Sequence, residues 1–302
     1  MTPTHNHPTA RFSYALTYDD REKKAILFGG FAPGQKFNDT WSWDGQSWRH
    51  LSDEGPTARD SPAIAYDSCR KKIFLFGGHL YDGSFADDTW EWDGKAWRQI
   101  NVLGPPARNH SSMVYDAYRN KTILFGGRGR DEDLGDTWEW DGQQWRRLDV
   151  IGTPARDGYR MVYDSVRKKA VLFGGRSRIG GKLVQLGDTW EWDGTEWQQV
   201  SDSGPAPRAH PGVVYDRVNH NILLHGGWNN TTPYLGDLWR WDGSNWTELD
   251  VNSPSPRART FMVFLEAQST AMLFGGDSAS GALQDTWEWN GERWRQRQTS
   301  RK

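Results

Sequence analysis

Four side chains able to hold an anion occupy related positions in the sequence. His110, His210 and Arg259 each follow a recurring arginine by two residues, and Arg160 follows one by four. Guanidinium and imidazole groups bind carboxylates, phosphates and enolate-like anions through charged hydrogen bonds. The same residues could instead serve an enzyme, with His110 or His210 as acid or base and Arg160 or Arg259 stabilising a developing anion.

The arginines that precede these residues mark an internal repeat. They are Arg11, Arg59, Arg108, Arg156, Arg208 and Arg257. Each opens a short apolar segment, a second apolar segment ends in Gly-Gly, and Asp-Thr-Trp or a close variant follows. Successive Gly-Gly pairs are 48, 49, 48, 52 and 49 residues apart. The repeats run approximately over residues 8–55, 56–104, 105–152, 153–204, 205–253 and 254–298, after an N-terminal tail of residues 1–7.

Each repeat predicts four short antiparallel strands. In the fourth repeat the first strand ends at Tyr163-Asp164, a charged turn leads to the second at residues 170–173, and the third carries Trp-x-Trp. An Asp-Gly turn, a strong hairpin signal, leads into the fourth strand. We therefore predict an all-β fold, a single six-bladed β-propeller of four-stranded antiparallel blades. Because each blade is one contiguous stretch, blade one should close the ring by packing on blade six without a shared strand.

The repeat resembles the Kelch repeat, in which Gly-Gly closes an apolar strand, a Trp comes about 12 residues later and another Trp follows a turn. The resemblance implies that the first strand of each blade lines the central channel and the fourth is outermost. Galactose-oxidase-like propellers share this fold and bind copper through Tyr and His, one Tyr being cross-linked to Cys. Here the only cysteine, Cys69, follows Tyr66-Asp67 in a turn, so copper is not expected. We expect neither a metal nor another cofactor.

Eighteen of the 19 tryptophans form one triplet in each repeat. The triplets begin at Trp41, Trp90, Trp138, Trp190, Trp239 and Trp287. Depending on the length of the Asp-Gly turn, Trp43 faces either Gln46 or Trp48 across the hairpin, and both registers put the three rings on one face. We expect these rings to be buried between blades rather than to form an outer shelf for sugars.

Variation between repeats points to one face of the disc. The loop after Gly-Gly has 8 to 12 residues, whereas the other segments keep a fixed length. Variable loops on a constant scaffold are where binding usually occurs, so we expect the functional face there. Each repeated arginine also starts its inner strand near this face, beside a repeated aspartate. We expect the two rings of charge to pair with each other and to be structural.

The candidate site consists of the residues that differ between repeats at the channel mouth and on the variable loops. These are His110, Arg160, His210, Arg259, Phe261, Trp228, Asp60, Asp157 and Tyr234. His110 and His210 belong to repeats three and five, so only the folded distance decides whether they share a ligand. The set favours a module that binds a peptide or a small anion. The alternative is an epimerase, lyase or cyclase with the catalytic roles given above, and a lectin is a third possibility.

Composition excludes several other classes. A formal net charge of −2 gives no footprint for nucleic acid, and one cysteine cannot make an internal disulfide. No apolar run is long enough to cross a bilayer, and no secretory signal is visible at the N-terminus. A soluble, cytoplasmic monomer is therefore expected.

Overall fold

The computed structural model describes residues 6–298, and this part of the chain contains strands and no helix. Six four-stranded antiparallel sheets form the blades of a six-bladed β-propeller, as predicted. Most of the predicted tail, residues 1–5, lies outside the described residues. No helix in the described part is long and apolar enough to cross a membrane.

Each blade is one contiguous segment of the chain. Blade one contains β1 (Ala15–Asp19), β2 (Lys24–Ala32), β3 (Gln35–Trp43) and β4 (Trp48–Ser52). Blade two contains β6 (Ala63–Asp67), β7 (Lys72–Phe76), β9 (Thr89–Trp92) and β10 (Trp97–Ile100), and beside it pair the two short strands β5 (Arg59–Asp60) and β8 (His79–Leu80). Blade three contains β11 (Ser112–Asp116), β12 (Lys121–Arg128), β13 (Asp133–Trp140) and β14 (Trp145–Leu148).

The other three blades follow the same order. Blade four contains β15 (Arg160–Asp164), β16 (Lys169–Phe173), β19 (Thr189–Trp192) and β20 (Trp197–Ser201), with the loop hairpin β17 (Arg176–Ile179) and β18 (Lys182–Gln185). Blade five contains β21 (Gly212–Asp216), β22 (Asn221–Gly227), β23 (Leu235–Trp241) and β24 (Trp246–Leu249). Blade six contains β25 (Phe261–Leu265), β26 (Thr270–Ser278), β27 (Gly281–Trp289) and β28 (Trp294–Arg297).

The first strands of the blades surround the axis. Each contacts the first strand of both neighbouring blades, and β1 meets β25 where the ring closes. The sheets run in order from this inner strand to the outer fourth strand. Both the strand order and the closure without a shared strand are therefore confirmed.

A circle of backbone hydrogen bonds also closes the ring, through residues that lie just before these strands. One residue per blade donates its backbone N–H to the carbonyl of the equivalent residue in a neighbouring blade, at 2.5–3.2 Å, and the six bonds form a closed circle. The residues are Ser13, Ser61, His110, Gly158, His210 and Arg259. All six have φ between 52° and 67°. Since the left-handed region is unfavourable for residues other than glycine, its repetition in five such residues marks it as part of the scaffold.

This conformation interrupts the alternation of side chains that a continuous strand would have. Simple alternation would place His210 and Gly212 on one face of one strand, but strand β21 begins only at Gly212. The left-handed residue lies before the strand and turns the backbone. Side chains at the two positions therefore belong to different layers of the channel.

The tryptophan triplets hold neighbouring blades together. Trp43 pairs with Trp48 across the hairpin, which settles the register in favour of the longer turn. Trp43, Trp92, Trp140, Trp192 and Trp241 are among the largest fully buried side chains. In blades one to five, the indole N–H of the third tryptophan donates to a threonine of the preceding blade, as Trp97 does to Thr40 at 2.9 Å. The expected burial between blades is confirmed for the second tryptophan of every triplet, whereas the first tryptophan is only partly buried in blades two to six.

The contact between blades five and six departs from this pattern. In every other blade a phenylalanine before Gly-Gly packs on the third tryptophan of the next blade, with ring centroids 4.9–5.4 Å apart. Blade five has His225 there, fully buried at 5.8 Å from Trp294. Burial lowers the pKa of His225 to about 3, so the folded protein holds this imidazole neutral.

We predict that His225→Phe stabilises the protein by roughly 1–3 kcal/mol at pH 7, because a buried polar ring is replaced by the phenyl ring of the other blades. The gain in the free energy of unfolding over the wild type should be larger in acid. Unfolded His225 takes up a proton below pH 6.5 while the folded protein does not, which costs about 2 kcal/mol at pH 5. Urea denaturation at both pH values measures this.

The matched control is Phe173→His, which places an imidazole in the equivalent contact with Trp246. It should destabilise the protein, and more at pH 5 than at pH 7. Equal stability of the wild type and the His225→Phe variant at both pH values would contradict the assignment.

Candidate functional site

The six repeated arginines form ion pairs within their own blades. Each is 0–1% exposed and contacts the repeated aspartate of the same repeat at 2.5–2.7 Å. Arg156, for example, donates from Nη1 and Nη2 to the two oxygens of Asp188 and from Nη1 to the carbonyl of Gly174. The Asp188 carboxylate also accepts from the indole of Trp190. Both expected rings of charge are thus neutralised inside the blades.

These contacts change the acidity of the aspartates. Burial alone would raise the pKa of Asp188, but the hydrogen bonds and charge of Arg156 outweigh it and lower the pKa. The same holds in four other blades, for Asp88, Asp136, Asp237 and Asp285. These ion pairs stabilise the folded protein fully above the ordinary pKa of aspartate. This stabilisation is lost as the pH falls through the lowered pKa of the aspartates in the folded protein.

His110 and His210 meet at the axis although they belong to blades three and five. Their ring centroids are 4.8 Å apart. Gly158, the equivalent residue of the blade between them, allows this approach, because a Cβ there would lie 2.6 Å from Cε1 of His210. The two histidines therefore do form one unit, which the sequence left open.

The histidine pair lies in a positive field. Burial is the main cause that lowers the pKa of both imidazoles well below the usual value, and the charges of Arg176, Arg259 and Arg160 add to it. His110 Nε2 is 3.5 Å from the hydroxyl of Ser61. Nε2 of His210 is buried and has no hydrogen-bond partner within residues 6–298. The pair is neutral at pH 7, and Nε2 of His210 is available for a hydrogen bond with a ligand.

The rim above the histidines is built from paired charges. The residue after each Gly-Gly pairs through its backbone with the residue after the repeated arginine, which joins Asp157 to Arg176. The Arg176 side chain also contacts Asp157 at 2.8 Å. Burial raises the pKa of Asp157 against the opposing charge of Arg176, and one oxygen of this carboxylate has no partner in the described chain. Asp157 thus lies fully buried beside the rim residue Arg176, a cation that sequence analysis missed.

Two further pairs complete the rim. Asp60 contacts Lys36 at 2.8 Å and accepts a hydrogen bond from Ser61. Arg259 contacts Asp277 at 2.8 Å, and Tyr234 donates to the same carboxylate at 3.1 Å. Arg176 and Asp277 could have been found from their shared position after Gly-Gly, whereas no local signal marks Lys36.

Trp228 occupies the same rim position in blade five. Its backbone pairs with Ala209 by two hydrogen bonds of 2.8 Å, and its side chain is half-buried. His225, three residues earlier, is buried between blades and does not reach the rim. The structure therefore places Trp228 with the rim charges and separates it from His225.

Arg160 and Phe261 lie in a deeper layer, at the start of strands β15 and β25. The Arg160 guanidinium carbon is 3.9 Å from the centre of the Phe261 ring. Both residues line a cavity that opens on the face of the first-to-second strand turns, away from the variable loops. Arg160 adds to the field at the histidines but is not part of the rim.

Metal ligation finds no geometric support among the described residues, where no group of three or more His, Cys, Asp or Glu side chains is placed to hold an ion. Cys69 is a free, exposed thiol. What the variable face offers is an aromatic and charged rim over a neutral imidazole pair in a positive field.

We predict that Arg156→Met destabilises the protein by about 3 kcal/mol, because it leaves the Asp188 carboxylate without its main partner. This value is the lower end of the roughly 3–5 kcal/mol lost when one partner of a buried ion pair is removed, because the Asp188 side chain is 17% exposed. Thermal or urea denaturation measures the effect. Arg146→Met, which removes an exposed arginine paired with Glu139, is the control and should change stability by less than about 1 kcal/mol. A normally stable Arg156→Met protein would show that the ring of arginines is not structural.

Comparison with known families agrees with this architecture. The model of the KLHDC2/KLHL20/DRC7 Kelch-repeats domain matches residues 45–208 and 158–302 of the chain. No curated protein matches the sequence significantly. The two matches together span more than half of the chain and fall on the repeats whose arginine, Gly-Gly and tryptophan positions build the blades. The chain belongs to the Kelch-repeat family.

Proposed function

We propose that this propeller is a binding module that takes a peptide or a small molecule with an anionic group at the variable-loop face. Kelch propellers generally mediate protein–protein interaction. The observation that carries the finer proposal is the histidine pair, held neutral in the field of Arg176, Arg259 and Arg160. An anion placed above it would relieve that field and could accept a hydrogen bond from an imidazole.

The rim supplies the rest of the contact. Trp228 offers a half-buried aromatic surface, and Tyr234 of the same loop donates to Asp277 of the neighbouring blade, which also binds Arg259. An aromatic anchor beside polar groups that fix orientation is the usual composition of a small recognition site. The ligand would rest on Trp228 and direct its charge toward Arg259 and the histidines.

Binding is favoured over proton-transfer catalysis by the surroundings of the imidazoles. A histidine that acts as general base is normally oriented by a carboxylate. Neither His110 nor His210 makes a hydrogen bond to a carboxylate in the described part of the chain. The enzyme alternative would require substrate to bring the pair into working geometry.

We predict that anion binding takes up a proton. A bound anion raises the pKa of the histidine pair, so affinity should increase as the pH falls through the pKa of the complex toward that of the free protein. Calorimetric titration with succinate, inorganic phosphate and peptides of acidic, neutral and basic composition, in two buffers of different ionisation enthalpy, measures this uptake.

The matched variant is His210→Gln, which keeps a hydrogen-bonding side chain but cannot titrate. It should retain binding at pH 7 and lose most of the proton uptake. Preference for the basic peptides, or uptake that is unchanged in His210→Gln, would contradict the proposal.

We also predict that Trp228→Ala weakens binding of the selected acidic peptide about tenfold or more, since aromatic anchors dominate such contacts. The melting temperature should stay close to that of the wild type. Tyr118→Ala is the control, because Tyr118 is an exposed aromatic residue in a first-to-second strand turn on the opposite face. An equal loss of peptide affinity in the two variants would show that Trp228 is not part of the site.

A further inference from the structure

The propeller has a second recess, on the face opposite the variable loops. It is an axial cavity of about 280 Å³, enough for roughly nine groups the size of a water molecule at about 30 Å³ each. Its walls follow the inner strands from Arg160 through Tyr163 to Ser165 in the turn, so it is at least about 10 Å deep at 3.3 Å per residue. A collar of small, mostly apolar residues surrounds it: Thr17, Ala65, Val114, Val162, Val214 and Val263.

A charged group without a counter-charge closes the inner end of this cavity. Arg160 is 7% exposed, and its guanidinium packs on the face of Phe261. Its terminal nitrogens donate only to the carbonyls of Tyr159 and Thr260, at 3.2 and 3.4 Å, and its Nε has no partner among residues 6–298. Burial lowers the pKa of Arg160 to about 10, so the side chain remains cationic at neutral pH.

This situation contrasts with the other buried arginines. The six repeated arginines each have a bidentate aspartate, whereas Arg160 keeps its charge at the inner end of a cavity whose collar is mostly apolar. An unpaired buried charge costs free energy that a bound carboxylate would offset, because a guanidinium fork matches both carboxylate oxygens. The apolar collar leaves room for a hydrocarbon body between that end and solvent.

The outer end of the cavity disfavours a second acid group. Asp20 and Arg217 line it, and Arg217 already contacts Glu266 at 2.6 Å and Asp20 at 3.7 Å. These three groups leave one net negative charge at the opening. A ligand with one carboxylate is therefore better matched than a dicarboxylate, and an apolar collar suits neither phosphate nor sugar.

We infer that this cavity binds an aliphatic monocarboxylate, with the carboxylate on Arg160 and the hydrocarbon chain inside the valine collar. The site uses neither the rim nor the histidine pair. Arg160 also adds to the field at the histidines, but no rim or histidine side chain lines this cavity, so the octanoate test and the tests of the variable-loop face can fail separately.

Isothermal titration of the full chain with octanoate, octan-1-ol and octanedioate tests this inference. Octanoate should bind one per chain, and at least about tenfold more tightly than the other two probes, which lack the charge or add a second one. Arg160→Met should lose this preference for octanoate over octan-1-ol while it stays folded, since it replaces an unpaired charge by an apolar side chain of similar length. Val214→Phe should narrow the collar and weaken all three probes.

Arg147→Met is the matched control, because Arg147 is exposed on the outer strand β14, and it should bind octanoate as the wild type does. Four results with these probes would overturn the inference. The first three are equal affinity of the wild type for octanoate and octan-1-ol, unchanged octanoate binding by Arg160→Met, and absence of octanoate binding to the wild type. Several octanoates per chain that Val214→Phe does not affect would show adsorption to apolar surface and would also overturn it.

Discussion

The circle of six backbone hydrogen bonds at the axis constrains everything else in this propeller. It requires one residue per blade in a left-handed conformation, which joins each blade to its neighbours at the narrowest part of the ring. Side chains at these positions are brought together at the axis whatever their chemistry. His110 and His210 meet there because the intervening Gly158 has no side chain to separate them. The closure of the fold and the proximity of the candidate site residues thus have one cause.

The repeated charged residues are paired within their own blades and not at the axis. Each repeated arginine is saturated by an aspartate, a carbonyl of the Gly-Gly turn and a carbonyl two residues earlier, as Arg59 is by Asp88, Gly77 and Thr57. Two residues near the axis that depart from the repeat keep unused interactions. Arg160 lacks a carboxylate, and a nitrogen of His210 lacks a partner in the described chain. The two lie in successive layers, so the two faces of the propeller differ in chemistry. One carries a charged aromatic rim, and the other has a cavity with a mostly apolar collar that ends in a cation.

Sequence analysis predicted the parts of the structure that repeat. The blade number, the burial of tryptophans and the pairing of arginines with aspartates follow from patterns present six times, and the strand order is implied by the resemblance to the Kelch repeat. Features that occur only once were harder to predict, because they depend on distances across the ring. The contact of His110 with His210 and the pairing of Lys36 with Asp60 join different blades and leave no local trace. The sequence places Arg160 with His210 at the channel mouth, but the left-handed residue precedes the strand and divides the two layers.

If the axis of this Kelch propeller holds anions, native mass spectrometry of the full chain purified under mild conditions should detect one. The account predicts a retained ligand, or capture of an added carboxylate, that is released as an anion. A variant with both Arg160→Met and Arg259→Gln should keep the folded charge-state distribution and lose that anion. Retention of the same anion by the double variant, or a wild-type protein that neither retains nor captures any anion, would contradict the account.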